Sequence, residues 1–288
     1  MNRFDFDWVD AFSPAPFGGN GCAVVHGGAR LSAETAMAYT RETGLVECTF
    51  TGPSEVADIR VRYFLADREI PFAGHPTLAT VAAMRDRGMI TGASVTLETG
   101  AGIVPVTLDG EMIEMTQVAP TYGAELDPSM VAQVLRLSPE DIAAPPQVVS
   151  TGLPFCITLL RDRGALRAAR LDTGALDRLR EVSGDFLEPF LVTLGGETEE
   201  GDTFSRLLLP PPLPPEDPFT GSATGAMAAW LWKTGRMDKD SFTAEQGHWM
   251  GRPGQARVTR LGPPEALKGI RVAGRAFVLM RGTVDLPR

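Results

Sequence analysis

The chain has 288 residues, 43% of them hydrophobic and 22% charged, with a net charge of −9 and a pI near 5.0. That is ordinary for a globular protein of one large domain or two, with room for a sizeable core. The acidic balance argues against nucleic acid or an anionic membrane as the main partner, since both need clustered positive charge.

In chain order, "FDFDWVDAF" (4–12) alternates as a strand, "GGNG" (18–21) turns, and "CAVVH" (22–26) is a short apolar strand. "SAETAMAYTRETG" (32–44) predicts a helix, with Ser32 as its cap and Gly44 past its end. "VECTFTG" (46–52) and "IRVRYFLAD" (59–67) predict strands. "HPTLATVAAMRDRG" (75–88) predicts a helix whose proline sits in the first turn, where the missing N–H costs nothing, and Gly88 follows its end. Residues 94–118 predict a strand meander turning at Asp109-Gly110.

A composition break follows at "APTYGAELDPS" (119–129), then a short helix over 129–137. Beyond "AAPPQ" the spacing predicts one strand over 148–160, a helical piece at 175–182, and strands at 189–195 and 204–210. A proline cluster, "PPPLPPEDP", is too rich for a helix or central strand and is expected to be a stiff arm. Helix "SATGAMAAWLWKTG" (222–235) and strands over 241–247, 255–261 and 270–286 complete the chain. Trp230 and Trp232 in that helix are expected in the core.

One stretch occurs twice. "PFAGHPTLATVA" (71–82) and "PFTGSATGAMAA" (218–229) agree at six of twelve positions, 147 residues apart. Each follows a strand and opens a helix, the pattern of a duplicated α/β unit. Gly74-His75 and Gly221-Ser222 would then present two helix N-termini to a shared cleft. Bare N–H groups and two dipoles aimed at one point suit a carboxylate or a developing enolate.

Cys22, Cys48 and Cys156 are scattered and odd in number, so a disulfide framework or zinc site is not expected, and a reduced, cytoplasmic protein is. His26, His75 and His248 lack metal-ligand spacing, and no glycine cluster continues as a nucleotide-binding loop. No cofactor and no metal are expected. The N-terminus does not read as a signal peptide, and no run of 18 apolar residues suggests a membrane span.

"FGGNGCAVV", "ETGLVECTF", "GHPTL", "EDPFTGSA" and "EQGHWMGRPG" are each weak alone, but together and in the family's order they resemble the PhzF-like phenazine-biosynthesis family. The resemblance runs from residue 17 to 254. It implies an α+β fold of the diaminopimelate epimerase type: two pseudo-symmetric halves, each a mixed or antiparallel sheet wrapped around a central helix. The expected halves are 1–120 and 121–288, with the last strand free to cross back to the first half.

The resemblance further implies a cofactor-independent isomerase that moves a proton between carbons of a small cyclic or amino-acid-like carboxylate. Glu47 matches the family's acid/base, and His75 and Asp217 match its catalytic partners. Gly74, Gly221 and Ser222 are expected to bind substrate. A homodimer is what the family suggests. Related racemases place a cysteine before each glycine of the repeated turn; here Ala73 and Thr220 stand there, so a two-thiol mechanism is not expected. Val46, Cys48 and Asp67 depart from the family's usual residues, which leaves the substrate open. An epimerase or dehydratase of the same fold, and a binding or interaction protein without turnover, are the alternatives.

Overall fold

The computed structural model describes residues 1–184 and 186–287. The first half of the chain runs β1 (Asn2–Ala11), β2 (Asn20–Val25), α1 (Ala33–Thr43), β3 (Glu47–Gly52), β4 (Ile59–Phe64), β5 (Glu69–Ile70), α2 (Gly74–Asp86), β6 (Ser94–Thr99), β7 (Gly102–Asp109) and β8 (Met112–Gln117). The second runs β9 (Thr121–Glu125), α3 (Pro128–Leu135), β10 (Gln147–Ser150), β11 (Pro154–Leu159), α4 (Arg163–Ala168), α5 (Thr173–Ser183) and β12 (Pro189–Leu194). It continues through β13 (Thr203–Leu208), β14 (Glu216–Asp217), α6 (Gly221–Lys233), β15 (Ser241–Gln246), β16 (Gly254–Leu261), β17 (Gly269–Gly274) and β18 (Ala276–Leu286).

The pairing is nearly the same twice over. β2 runs parallel to β3, β3 antiparallel to β4, β4 antiparallel to β5 and parallel to β6. β11 runs parallel to β12, β12 antiparallel to β13, β13 antiparallel to β14 and parallel to β15. The halves join where β8 pairs with β17, each being the last strand of its own meander. β9 pairs with β10, while β18, at the far end of the chain, pairs with β1. We therefore propose a division near residue 120 with β18 returned to the first half.

Each half wraps around one helix. α2 packs against β1, β2, β8 and β18; α6 packs against β10, β11, β16 and β17. Both have 13 residues, and Gly74 to Met84 of α2 are all buried. A helix apolar on every side belongs inside a sheet, not upon it. Each fully buried leucine or valine, such as Leu78 and Val81, contributes roughly 1.5–3 kcal/mol. Trp230 and Trp232 are core residues, as expected.

Three expectations need correction. The run 148–160 is two strands, because Gly152 takes φ 137° and turns the chain between β10 and β11. The run 270–286 is also two strands, interrupted at Arg275, so that β17 pairs with β8 and β18 with β1. Residues 121–125, within the composition break, form β9, since pairing with β10 outweighs a weak local pattern.

Candidate active site

The two central helices meet end to end. A Cβ added at Gly74 would lie 3.0 Å from the Ser222 nitrogen and 3.2 Å from Gly221 Cα. Neither helix has a side-chain cap: Ala73 cannot supply one, and Thr220 gives its hydroxyl to Asp217 Oδ2 at 2.5 Å. The first-turn N–H groups of both helices are thus left without the usual side-chain acceptor, at the positive ends of two dipoles. Gly74, Gly221 and the half-buried Ser222 stand together here.

Glu47 and Asp217 reach this point from opposite halves and from different positions in the repeat. Glu47 opens β3 opposite Cys22 of β2; the matching register in the second half, opposite Cys156, holds Pro189. Asp217 lies in β14 opposite Leu207; the matching residue of the first half is Ile70, opposite Tyr63. The fold is duplicated, and its ionisable groups are not.

His75, the second residue of α2, is 3% exposed. Its Nδ1 lies 3.8 Å from Glu47 Oε2, too far for a hydrogen bond. Glu47 Oε2 and His75 Nε2 are both buried without a hydrogen-bond partner. Most buried polar atoms in folded proteins are partnered, so these two are candidates to meet a ligand's polar groups.

Burial pushes the Glu47 carboxyl up to about 8; the Asp217 charge adds to the rise and Arg68 opposes it. Burial likewise raises Asp217 to about 7, against the hydrogen bonds from Thr220 and Asn20. Burial lowers His75 to about 3, opposed by the Gly21 carbonyl and reinforced by the Arg252 charge. Near neutral pH the site therefore holds a neutral imidazole, a Glu47 that is mostly protonated, and an Asp217 close to its midpoint.

Sequence reasoning missed the residues that hold this arrangement. Asn20 donates from Nδ2 to Asp217 Oδ1 (2.5 Å) and to the Phe219 carbonyl (3.0 Å), tying β2 to the second half. Gln246 accepts from the Thr220 N–H at 3.0 Å and donates to the Asp217 carbonyl at 2.7 Å. Gln117 Nε2 donates to the Gly221 carbonyl at 2.8 Å. Arg252 donates to the Gly18 and Gly19 carbonyls and to Asp10, holding the "FGGN" loop. Asn20, Gln246 and Arg252 all stand in motifs that the sequence had singled out, but a motif does not say which residue faces which.

The turn before each of β5 and β14 approaches the seam. Leu65 N–H donates to the Arg68 carbonyl, and Cys48, next to Glu47, pairs with Phe64, so the 65–68 turn sits beside Glu47. The proline arm, 210–213, turns between β13 and β14, just before Asp217. Between these turns lies a cavity of about 430 Å³, lined in part by Arg68, Arg180, Glu188, Pro211 and Leu213. Among the described residues, no group of three or more His, Cys, Asp or Glu side chains is placed to hold a metal ion. All three cysteines are free and buried, and burial raises each thiol above its ordinary range.

Residues 9–282 match the family model described as phenazine biosynthesis-like protein. The chain is 31% identical to the uncharacterized isomerase YddE of Escherichia coli O157:H7, over 94% of this chain and 95% of that one. It is 30% identical to the trans-2,3-dihydro-3-hydroxyanthranilate isomerase of Pseudomonas aeruginosa, over 96% of this chain and 98% of that one. The crystal structure of a PhzF-family phenazine biosynthesis protein from Bacillus anthracis superposes with a TM-score of 0.87 at 27% identity, covering 99% of both chains. With a duplicated α+β architecture, two helix N-termini meeting at Gly74 and Gly221, and a family match across almost its whole length, this chain belongs to the PhzF-type phenazine biosynthesis-like family.

Proposed function

We propose that this protein is an isomerase that moves a proton between carbons of a small cyclic or amino-acid-like carboxylate, with Glu47 as the acid/base. One observation carries the reading: a largely buried carboxylate, one oxygen of which is fully buried and unpartnered, stands where two uncapped helix N-termini meet. Its raised proton affinity suits a group that must take and return a proton near neutral pH. The Glu47 carboxylate removes a proton from a substrate C–H, and the electron pair left behind spreads onto the substrate as an enolate. The N–H groups at Gly74, Gly221 and Ser222 stabilise that charge. Protonated Glu47 then delivers the same proton to another carbon of the conjugated system. No electrons leave the substrate, so the step balances with proton transfer alone. That the named relatives include isomerases supports this class of reaction.

Asp217 fits a holding role better than a second base. Asn20 donates to one of its oxygens and Thr220 to the other, both at 2.5 Å. Ala73 and Thr220 supply no thiol in front of the glycines, which counts against a two-thiol epimerase.

The test is proton NMR in D₂O with a panel of dihydro-hydroxyanthranilate, cyclic hydroxy acids and common amino acids. Wild type is expected to wash out or relocate one C–H signal on its substrate, and Glu47→Gln to leave it untouched. A Glu47→Gln protein that keeps full turnover on a confirmed substrate would remove Glu47 from the mechanism. Saturable binding with no exchange of any C–H would favour a binding protein.

A further inference from the structure

We propose that Asn20 is a positioning residue that locks His75 as the neutral tautomer with its proton on Nε2, so that His75 serves the substrate as a hydrogen-bond donor and never as a base. The role of His75 toward substrate rests on the isomerase reading above; the tautomer does not.

The Asn20 amide can face its neighbours in only one way. Its Nδ2 lies 3.0 Å from the Phe219 carbonyl oxygen, which can only accept. The atom facing it must therefore be the NH₂ group, and the amide orientation follows without ambiguity. Asp217 Oδ1, at 2.5 Å from the same nitrogen, agrees. The third neighbour of that nitrogen is His75 Nδ1, at 3.0 Å. With its two hydrogens directed to Phe219 and Asp217, the amide nitrogen has no lone pair to offer, so a proton on Nδ1 would point at an atom that cannot accept it. The ring proton is thereby driven to Nε2.

The same contact resists the imidazolium, which would carry protons on both nitrogens. The other groups around the ring act in mixed directions. Glu47 Oε2, 3.8 Å from Nδ1, would favour a charged ring if it were ionised, but burial keeps Glu47 largely protonated. The Gly21 carbonyl also favours charge, while Arg252 and burial oppose it. The helix α2 N-terminus, one residue away, opposes it as well.

The consequence is chemical. Nε2 is buried without a hydrogen-bond partner. If it carries the proton, the site holds an unsatisfied N–H donor on His75 and an unsatisfied carboxyl oxygen on Glu47, the latter 3.8 Å from the ring's other nitrogen. A neutral imidazole N–H can polarise a carbonyl or hold an enolate oxygen without giving up its proton. This leaves Glu47 as the sole group that exchanges a proton with carbon, while Asn20, in contact with His75 and hydrogen-bonded to Asp217, couples the two halves.

The test needs no substrate, so its outcome is independent of whether the isomerase reading holds. Long-range proton–nitrogen correlation spectra of the isotope-labelled resting protein distinguish the two neutral tautomers and the imidazolium; the ring of residue 75 is assigned by its loss in His75→Gln. The expected result is a single Nε2–H pattern that does not titrate between about pH 5 and 8. Asn20→Ala is expected to release the ring, giving mixed tautomers or a proton on Nδ1. A wild-type ring with its proton on Nδ1, or one that becomes imidazolium in this range, overturns the proposal. So does a folded Asn20→Ala protein with the wild-type pattern. Should Asn20→Ala not fold, the wild-type spectrum decides alone.

Discussion

Replacing Glu47 by Gln should change how stability depends on pH, whether or not a substrate is in hand. In the unfolded chain Glu47 ionises near 4.5; in the folded protein burial lifts it to about 8. Between these values the folded state holds a proton that the unfolded state has released. Stability must then fall as pH rises, by about 1.4 kcal/mol per pH unit for one such group, and level off above the folded value. From pH 5 to pH 8 this amounts to about 4 kcal/mol at most, and about 2 kcal/mol if the cleft admits some water. Glutamine has nearly the same shape and no charge to bury. The two proteins should therefore be similarly stable near pH 5, and the Gln variant should be more stable at pH 9, with a melting temperature higher by roughly 5–10 °C. Asp217 is also raised and tilts the profile the same way, and since its charge acts on Glu47, the difference between the two proteins reports Glu47 together with that coupling. Urea denaturation of both proteins at intervals from pH 5 to 9 measures it. Identical pH slopes would mean that Glu47 is charged and solvated in the folded state, and the argument for a poised acid/base would fail.

Two other substitutions test the geometry around this group. Gly74→Ala places a methyl group 3.0–3.2 Å from the backbone of Gly221 and Ser222, which cannot rotate away. It should lower stability by about 1–3 kcal/mol in urea denaturation and abolish C–H exchange, and an active, fully stable variant would contradict the close approach of the two helices. Arg68→Met removes the positive charge that holds Glu47's proton affinity down, so the Glu47-dependent part of the stability profile should move to higher pH. An unchanged or lowered midpoint would show that Arg68 does not act on Glu47.

Much of this protein was legible in its amino-acid order, for reasons that are local. The helices over 32–44, 75–88 and 222–235 announce themselves through caps, a first-turn proline and following glycines, which act on neighbours only a few residues away. The repeat of "PFAGHPTLATVA" and "PFTGSATGAMAA" foretold two like helix starts, and a motif order across 17–254 pointed to the family and its α+β fold. Glu47, His75, Asp217, Gly74, Gly221 and Ser222 could be nominated, because the chemistry of an anion turn and an acid/base limits which residue types serve. Their meeting could not be read, since it depends on pairings between residues far apart in the chain. Asn20 touches Asp217 across 197 positions, and Arg252 holds Gly18 across 234. The same reason explains the errors. Whether 148–160 or 270–286 is one strand or two depends on which partner strand each piece finds, and a partner such as β18 for β1 lies at the opposite end of the chain. Local sequence chose the elements and the kinds of side chain available; long-range packing decided which of them share a dry cleft, and burial there gave the carboxyls their unusual proton affinity.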